Sequence, residues 1–403
     1  MKKIFIYSTY FLLALLMSCT SQTPISNYTP VRVVIDSYDL DGDGTTLVAK
    51  NIVMKNNTFT NTVTSDTVKL IHHLTNSGFH FYNAVAFKSE KEGIMVGGTG
   101  LRIRTTIDGG LHWKENVFSK FANPFHSVAF NKENVFVVGE NKYVYRSNDF
   151  GEHWEVFDTS TLIENGDSNA KYYKIKFYNK NLGIITGSYN NKVALLKTIN
   201  GGQNWEVLEL KGLQDVKSGI SDFKIISEKI IIIVTLSGSC YKSSDGGNKW
   251  YSIFSNKNVS LIAIDFINEN EGYIGGSAST LFYTKDGGLS WEGINLFSDE
   301  DGVIYYQKFE DNFKHTPPNK SSINISNIAY LDSNTTSFTL SNSDIDIEKD
   351  FLYTIEKDTK TVKSLLSNKD STVFFKGASY GLHLLNNSLF VLDRNNLYQI
   401  NLK

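Results

Sequence analysis

The sequence predicts an all-β protein, a single β-propeller of four-stranded blades, with seven blades favoured over six or eight. Three observations predict it. The chain contains five tryptophans, and each one closes the same motif, [Ser/Thr]-x-[Asp/Asn]-x-Gly-x-x-Trp. The tryptophans follow one another at steps of 41, 51, 45 and 41 residues, a period of the size of one blade. Short apolar runs and polar turns fill the intervals, and no stretch after the N-terminal segment keeps a helical period.

The five boxes read Thr106-Ile-Asp108-Gly-Gly110-Leu-His-Trp113, Ser147-Asn-Asp149-Phe-Gly151-Glu-His-Trp154, Thr198-Ile-Asn200-Gly-Gly202-Gln-Asn-Trp205, Ser243-Ser-Asp245-Gly-Gly247-Asn-Lys-Trp250 and Thr284-Lys-Asp286-Gly-Gly288-Leu-Ser-Trp291. Each reads as a hairpin device. The Asp or Asn side chain bonds the amides that follow it, and the glycine accepts a left-handed backbone. The tryptophan folds back as a large apolar anchor. The carboxylates are therefore expected to be spent within their own turns.

A strand pattern leads into each box. Ala84-Val-Ala-Phe87, Ser127-Val-Ala-Phe130, Lys174-Ile-Lys-Phe177, Phe223-Lys-Ile-Ile226 and Ala263-Ile-Asp-Phe266 read as inner strands. A polar turn follows, then a second apolar run such as Gly93-Ile-Met-Val-Gly97 or Gly272-Tyr-Ile-Gly-Gly276, then a third strand running into the box. The tryptophan opens a fourth strand.

This unit resembles the Asp-box or bacterial neuraminidase repeat. Its fuller form, an aromatic inner strand, Gly-x-x-x-Gly and Thr-x-Asp-Gly-Gly-x-x-Trp, is most similar to the photosystem II stability/assembly factor-like family of bacterial lipoproteins, over roughly residues 80–295. The resemblance implies a propeller that holds a protein partner. Asp boxes also occur in sialidases, xyloglucanases and sorting receptors, so the box defines a fold better than a job.

Residues 1–18 read as a lipoprotein signal peptide. Lys2 and Lys3 precede an apolar core from Ile4 to Met17, and Leu16-Met-Ser-Cys19 resembles a lipobox whose Cys19 is lipidated. Residues 19–30 then form the lipidated cysteine and a tether, and residues 31–403 the propeller. The expected location is the bacterial cell envelope, anchored on the periplasmic face or at the outer-membrane surface. Loss of Lys2 and Lys3 leaves 38 basic against 42 acidic residues, a net charge of about −4, which argues against a nucleic-acid partner. The one cysteine within the fold, Cys240, reads as a buried structural thiol.

The flanks must complete the ring. Residues 31–75 hold enough apolar runs for a degenerate blade, and residues 300–403, beginning with Val303-Ile-Tyr-Tyr306, hold one or two more. A closed propeller leaves no open edge, so the termini are expected to share a blade, with Val31–Ile35 pairing near Leu397–Leu402.

Three constellations carry chemistry. Asp39, Asp41 and Asp43 alternate as in the start of a calcium loop, but Lys50 stands where a closing Glu would be. Calcium and a solvated acidic turn are thus the two readings, and no other cofactor is expected. Arg102, Arg104 and Arg146 lie on third strands, without the sialidase Arg-Ile-Pro signature. The turns between second and third strands supply the candidate partner-binding residues Glu140, Asn141, Tyr189, Asn190 and Ser277. Glu140, with Glu164 and Asp167 from the insertion Asp158–Ala170, supplies the acids that a glycosidase needs. The expected function is a lipid-anchored, non-catalytic protein-binding scaffold with an envelope protein as partner. A glycan-binding or glycan-cleaving propeller is the alternative.

Overall fold

The computed structural model describes residues 34–41, 44–50, 68–73, 82–97, 101–119, 124–162, 169–189, 192–214, 216, 219–278, 280–298, 304–308, 323–342, 352–358, 362–364, 381–392 and 396–402. Seven sheets, each of strands that pair antiparallel, make seven blades. Blade 1 is Tyr82–Phe87, Gly93–Gly97, Leu101–Thr106 and Lys114–Ser119. Blade 2 is Phe125–Phe130, Val135–Gly139, Tyr143–Ser147 and Glu155–Asp158. Blade 3 is Lys171–Phe177, Gly183–Tyr189, Lys192–Thr198 and Glu206–Val207. Blade 4 is Ile220–Ile225, Ile231–Thr235, Ser239–Ser243 and Tyr251–Ser255.

Blade 5 has five strands, Leu261–Phe266, Gly272–Gly276, Thr280–Thr284, Glu292–Ser298 and Ile304–Lys308. Blade 6 is Ile323–Tyr330, Thr335–Asn342, Leu352–Glu356 and Val362–Ser364. Blade 7 joins Gly381–Leu385, Ser388–Leu392 and Asn396–Asn401 to Val68–His73 from the other end of the chain. First strands of successive blades lie side by side, and that of blade 7 meets that of blade 1, so the ring closes around a central channel.

The termini share a blade, but not through the expected strand. The closing strand is Val68–His73, which pairs from Val68↔Ile400 to His73↔Asn396. Val34 and Ile35 instead belong to a two-stranded hairpin outside the seven blades, Val34–Asp41 with Gly44–Lys50. The hairpin fills its own ladder locally, so the later strand is the one left to close the ring. The described strands within residues 31–75 therefore do not make a blade of their own. Asp39 and Asp41 fall within the hairpin's first strand, and Asp43 lies outside the described residues. The run at Val303–Tyr306 likewise begins no new blade: Ile304–Lys308 adds to the edge of blade 5 beside Glu292–Ser298. Pairing back onto the preceding strand needs the shortest connection.

The core is divided among the seams. Seven apolar clusters each join two neighbouring blades, for example Phe136, Val138 and Val144 of blade 2 with Tyr172, Ile175, Ile185 and Leu196 of blade 3. The tryptophans wedge into these seams. Trp205 of blade 3 meets Phe136 of blade 2 edge-on at 6.3 Å, and Trp291 of blade 5 meets Phe254 of blade 4 at 5.6 Å. Truncating such a buried ring to alanine typically costs about 3–5 kcal/mol.

Each box closes on itself. Thr106 Oγ1 accepts from Gly110 N–H and donates to Asp108 Oδ1, both at 2.8 Å, and Asp108 Oδ1 accepts from His112 N–H at 3.0 Å. The same bonds recur at Ser147/Asp149, Thr198/Asn200, Ser243/Asp245 and Thr284/Asp286. The boxes dock on the turns between first and second strands: Gly109 N–H donates to Lys91 O, Gly201 N–H to Asn181 O, Gly246 N–H to Lys229 O and Gly287 N–H to Asn270 O. Boxes and those turns thus form one face. The turns between second and third strands, with Glu140, Asn141, Tyr189 and Ser277, lie on the other.

Candidate functional site

The geometry of the channel mouth starts from a β-bulge. In six of the seven first strands the register slips at the same place: at Tyr82/Ala84, Phe125/Ser127, Tyr172/Lys174, Ile220/Asp222, Leu261/Ala263 and Ile325/Asn327. A bulge re-aims the side chain of the extra residue. The re-aimed residues are Asn83, His126, Tyr173, Ser221, Ile262 and Ser326, all partly exposed. Two of them tie one blade to the next: Asn83 Nδ2 donates to Phe125 O at 2.7 Å, and Ser221 Oγ donates to Leu261 O at 2.6 Å.

Between blades 2 and 3 the mouth becomes charged. Glu140, in the turn after Val135–Gly139, is half-buried, and its N–H donates to Pro124 O. Its carboxylate reaches Lys171 Nζ at 3.3 Å and His126 Nε2 at 3.4 Å. The His126 ring lies 5.9 Å from that of Tyr173, whose hydroxyl meets Ser188 Oγ at 3.2 Å. Burial pushes the His126 pKa down, and Glu140 offsets only part of that. The imidazole is therefore held neutral at neutral pH. Glu140 thus forms an ion pair with Lys171 beside a neutral imidazole.

The other predicted residues have distinct settings. Asn141 Oδ1 accepts from Tyr143 N–H, which holds its own turn. Ser277 Oγ accepts from Ser260 N–H at 2.8 Å, fixing the start of blade 5. Tyr189 is half-buried against the seam of blades 2 and 3. Cys19, Glu164, Asp167 and Asn190 lie outside the described residues. Arg102 and Arg104 share one carboxylate, with Arg102 Nη1 at 2.6 Å and Arg104 Nε at 2.7 Å from Glu115. Cys240 is fully buried, and burial raises its thiol pKa well above the usual range.

Sequence reasoning missed His126 and Tyr173. A signal was present: each stands before a Ser-Val-Ala-Phe or Lys-Ile-Lys-Phe run, in the place that Asn83 holds before Ala-Val-Ala-Phe. Below the mouth, the strand Lys171–Phe177 is tied to its neighbour. Lys176 Nζ donates to Asp222 Oδ1 and Phe223 O, each at 2.7 Å, and Lys174 Nζ lies 3.1 Å from Asp222 Oδ1. Burial raises the Asp222 carboxyl pKa, but the two ammoniums outweigh it and hold the group below the usual range.

Fold and boxes together define the class: a seven-bladed β-propeller whose hairpins carry the Ser/Thr-x-Asp/Asn-x-Gly-x-x-Trp repeat. Within that class the chain is similar to photosystem II assembly factors. The family model described as photosynthesis system II assembly factor YCF48 matches residues 73–164 and 125–260. The photosystem II assembly lipoprotein Ycf48 of Synechococcus sp. (strain CC9902) is 28% identical over 163 residues, a match that covers 39% of this chain and 46% of that relative. The chain thus matches about half the length of that relative. The same fold recurs in a structure of YCF48 bound to a D1 peptide, at a TM-score of 0.60 and 14% identity, covering 86% of this chain and all of that one. It recurs in YCF48 from Cyanidioschyzon merolae at a TM-score of 0.58 and 17% identity, covering 83% and 99%.

Proposed function

We propose that the chain is a non-catalytic protein-binding scaffold that receives its partner on the channel-mouth face, through Glu140, Asn141, Tyr189, Asn190 and Ser277. The observation that carries this reading is the half-exposed cluster of Glu140, His126, Lys171 and Tyr173 at the mouth between blades 2 and 3. It offers charge, hydrogen bonding and aromatic surface at one spot, the mixture that protein interfaces favour. Glu140 is ion-paired with Lys171 there, which suits recognition better than acid catalysis. The relatives support the reading: one is described as an assembly lipoprotein, and another was solved with a D1 peptide bound. A lipid on Cys19 would hold the propeller at an envelope membrane. Among the described residues no helix is long and apolar enough to cross a membrane.

The test is a detergent pull-down of the lipidated protein from its own membranes, read by mass spectrometry. Wild type is compared with the triple variant Glu140→Ala/Tyr189→Ala/Asn190→Ala. A stoichiometric protein present with wild type and lost with the variant is the expected result. Equal capture by both, or by neither, would sink the proposal.

A further inference from the structure

The ring of first strands carries a charge opposite to that of the whole chain. The chain has 40 Lys and Arg against 42 Asp and Glu. The seven first strands hold four lysines, Lys171, Lys174, Lys176 and Lys224, against two acids, Asp222 and Asp265. The shared bulge aligns these strands residue by residue. Lys174 and Asp222 then fall level with Ala84, Ser127 and Ala263, and Lys176, Lys224 and Asp265 with Ala86, Ala129 and Ala329. Small side chains thus hold these levels in blades 1 and 2, and charge enters only at blades 3 to 5.

The charges there do not balance. Lys171 is matched by Glu140. The three remaining ammoniums share two carboxylates: Asp222 Oδ1 takes Lys174 at 3.1 Å and Lys176 at 2.7 Å, and Asp265 Oδ1 takes Lys224 at 2.5 Å. Backbone amides draw on the same two groups, Phe223 N–H on Asp222 and both Phe266 N–H and Tyr330 N–H on Asp265. Among the described residues one positive charge is left over. The three lysine side chains keep 30%, 37% and 34% of their exposure, yet burial depresses the Lys176 pKa. Both follow if these groups border water enclosed by the ring. Low-dielectric walls concentrate the field of an unmatched charge in such a place, and leaving it unmatched is costly.

We propose that the channel at blades 3 to 5 binds one small monovalent anion of the halide class, held by Lys174, Lys176 and Lys224, as a structural ligand that balances the ring. Ammoniums act as point charges, and no guanidinium fork stands among them to select a planar oxyanion. A single surplus charge calls for a single negative one. Anion binding there does not depend on which partner the mouth receives.

The test is thermal unfolding of the full-length protein at constant ionic strength, with sodium gluconate replaced stepwise by sodium chloride. The wild-type Tm is expected to rise by a few degrees and then saturate. Lys174→Met brings the cluster to two lysines against two acids, and its Tm is expected to stay flat. Lys249→Met, on the box face, should follow wild type. A second arm uses bromide: anomalous diffraction from wild-type crystals should place one bromide among the three ammoniums, which decides the matter even if Lys174→Met fails to fold. A wild-type Tm indifferent to chloride, an equal response in Lys174→Met, or no bromide in the ring would each overturn the proposal.

Discussion

Phe136 of blade 2 occupies the space that a side chain on Gly202 of blade 3 would need. A Cβ on Gly202 would stand 2.3 Å from Phe136 Cε1, and Gly202 has φ +79°. The box and the neighbouring blade fit together through the absence of one methyl group. Gly202→Ala is expected to destabilise the protein by roughly 2–4 kcal/mol, from overpacking and from a left-handed backbone. Gly219→Ala, where nothing lies within 4 Å, should change little. Urea unfolding checks the pair, and matching midpoints would refute the account.

Box 2 alone places a side chain, Phe150, where the other boxes have Gly109, Gly201, Gly246 and Gly287. Phe150 has φ +61° and stacks on Phe130 with ring centroids 6.1 Å apart. Phe150→Ala loses the stack and keeps the strain, whereas Phe150→Gly loses both. The glycine variant is therefore expected to be the more stable of the two by about 1 kcal/mol. The reverse order in chemical denaturation would count against strain at this position.

Asp286 serves as an acceptor, not as a charge. Bonds from the Ser290 hydroxyl and N–H hold its carboxyl pKa down at about 2, and Asn200 fills the same place in box 3. Asp286→Asn is expected to melt close to wild type and Asp286→Ala clearly lower. The depressed pKa has a pH signature. Its contribution is complete above the ordinary carboxylate range and is lost as pH falls through about 2. Asp286→Asn should lack that acid-side loss.

His383 reports on the seam between blades 7 and 1. Its Nε2–H donates to Phe87 O at 2.9 Å, and burial lowers its pKa below the ordinary value. In the unfolded chain it takes up a proton near pH 6.5, while in the fold it resists. Its contribution is therefore present above about pH 6.5 and declines as pH falls below that value. His126 shifts in the same direction. Between pH 7.5 and 5.5 the Tm of wild type is expected to fall more than that of His383→Gln. Parallel curves would remove His383 from the explanation.

Cys240 is buried with its thiol pKa raised, so almost no thiolate exists to react. Iodoacetamide is expected to label it only as fast as the protein unfolds. Rapid labelling under native conditions would show that the blade 4–5 seam opens.

Much of this fold was legible because it is local. Ser147 to Trp154 makes its bonds within eight consecutive residues, so a motif suffices to see the turn. The partners of Val68–His73 and Ile304–Lys308 were not legible, since an apolar run does not state which distant edge it will meet. The mouth was half legible. Glu140 and Tyr189 stood out as turn residues, but the pairing of Glu140 with His126 and Lys171 depends on bulges and on a neighbouring blade. The surplus of lysine over aspartate in the ring also appears only once seven separated strands are aligned.

The pairing of Val68 with Ile400 sets a timetable for synthesis. On the ribosome the early blades can form in order as they emerge. The strand Val68–His73 must wait as an unpaired edge until Asn396–Asn401 has been made. A product that stops before Asn396 would lack the strand Asn396–Asn401 and expose raw edges at both ends of an open arc. The position of one strand thus makes the arrival of Asn396–Asn401 something that proteases and chaperones can read from shape alone.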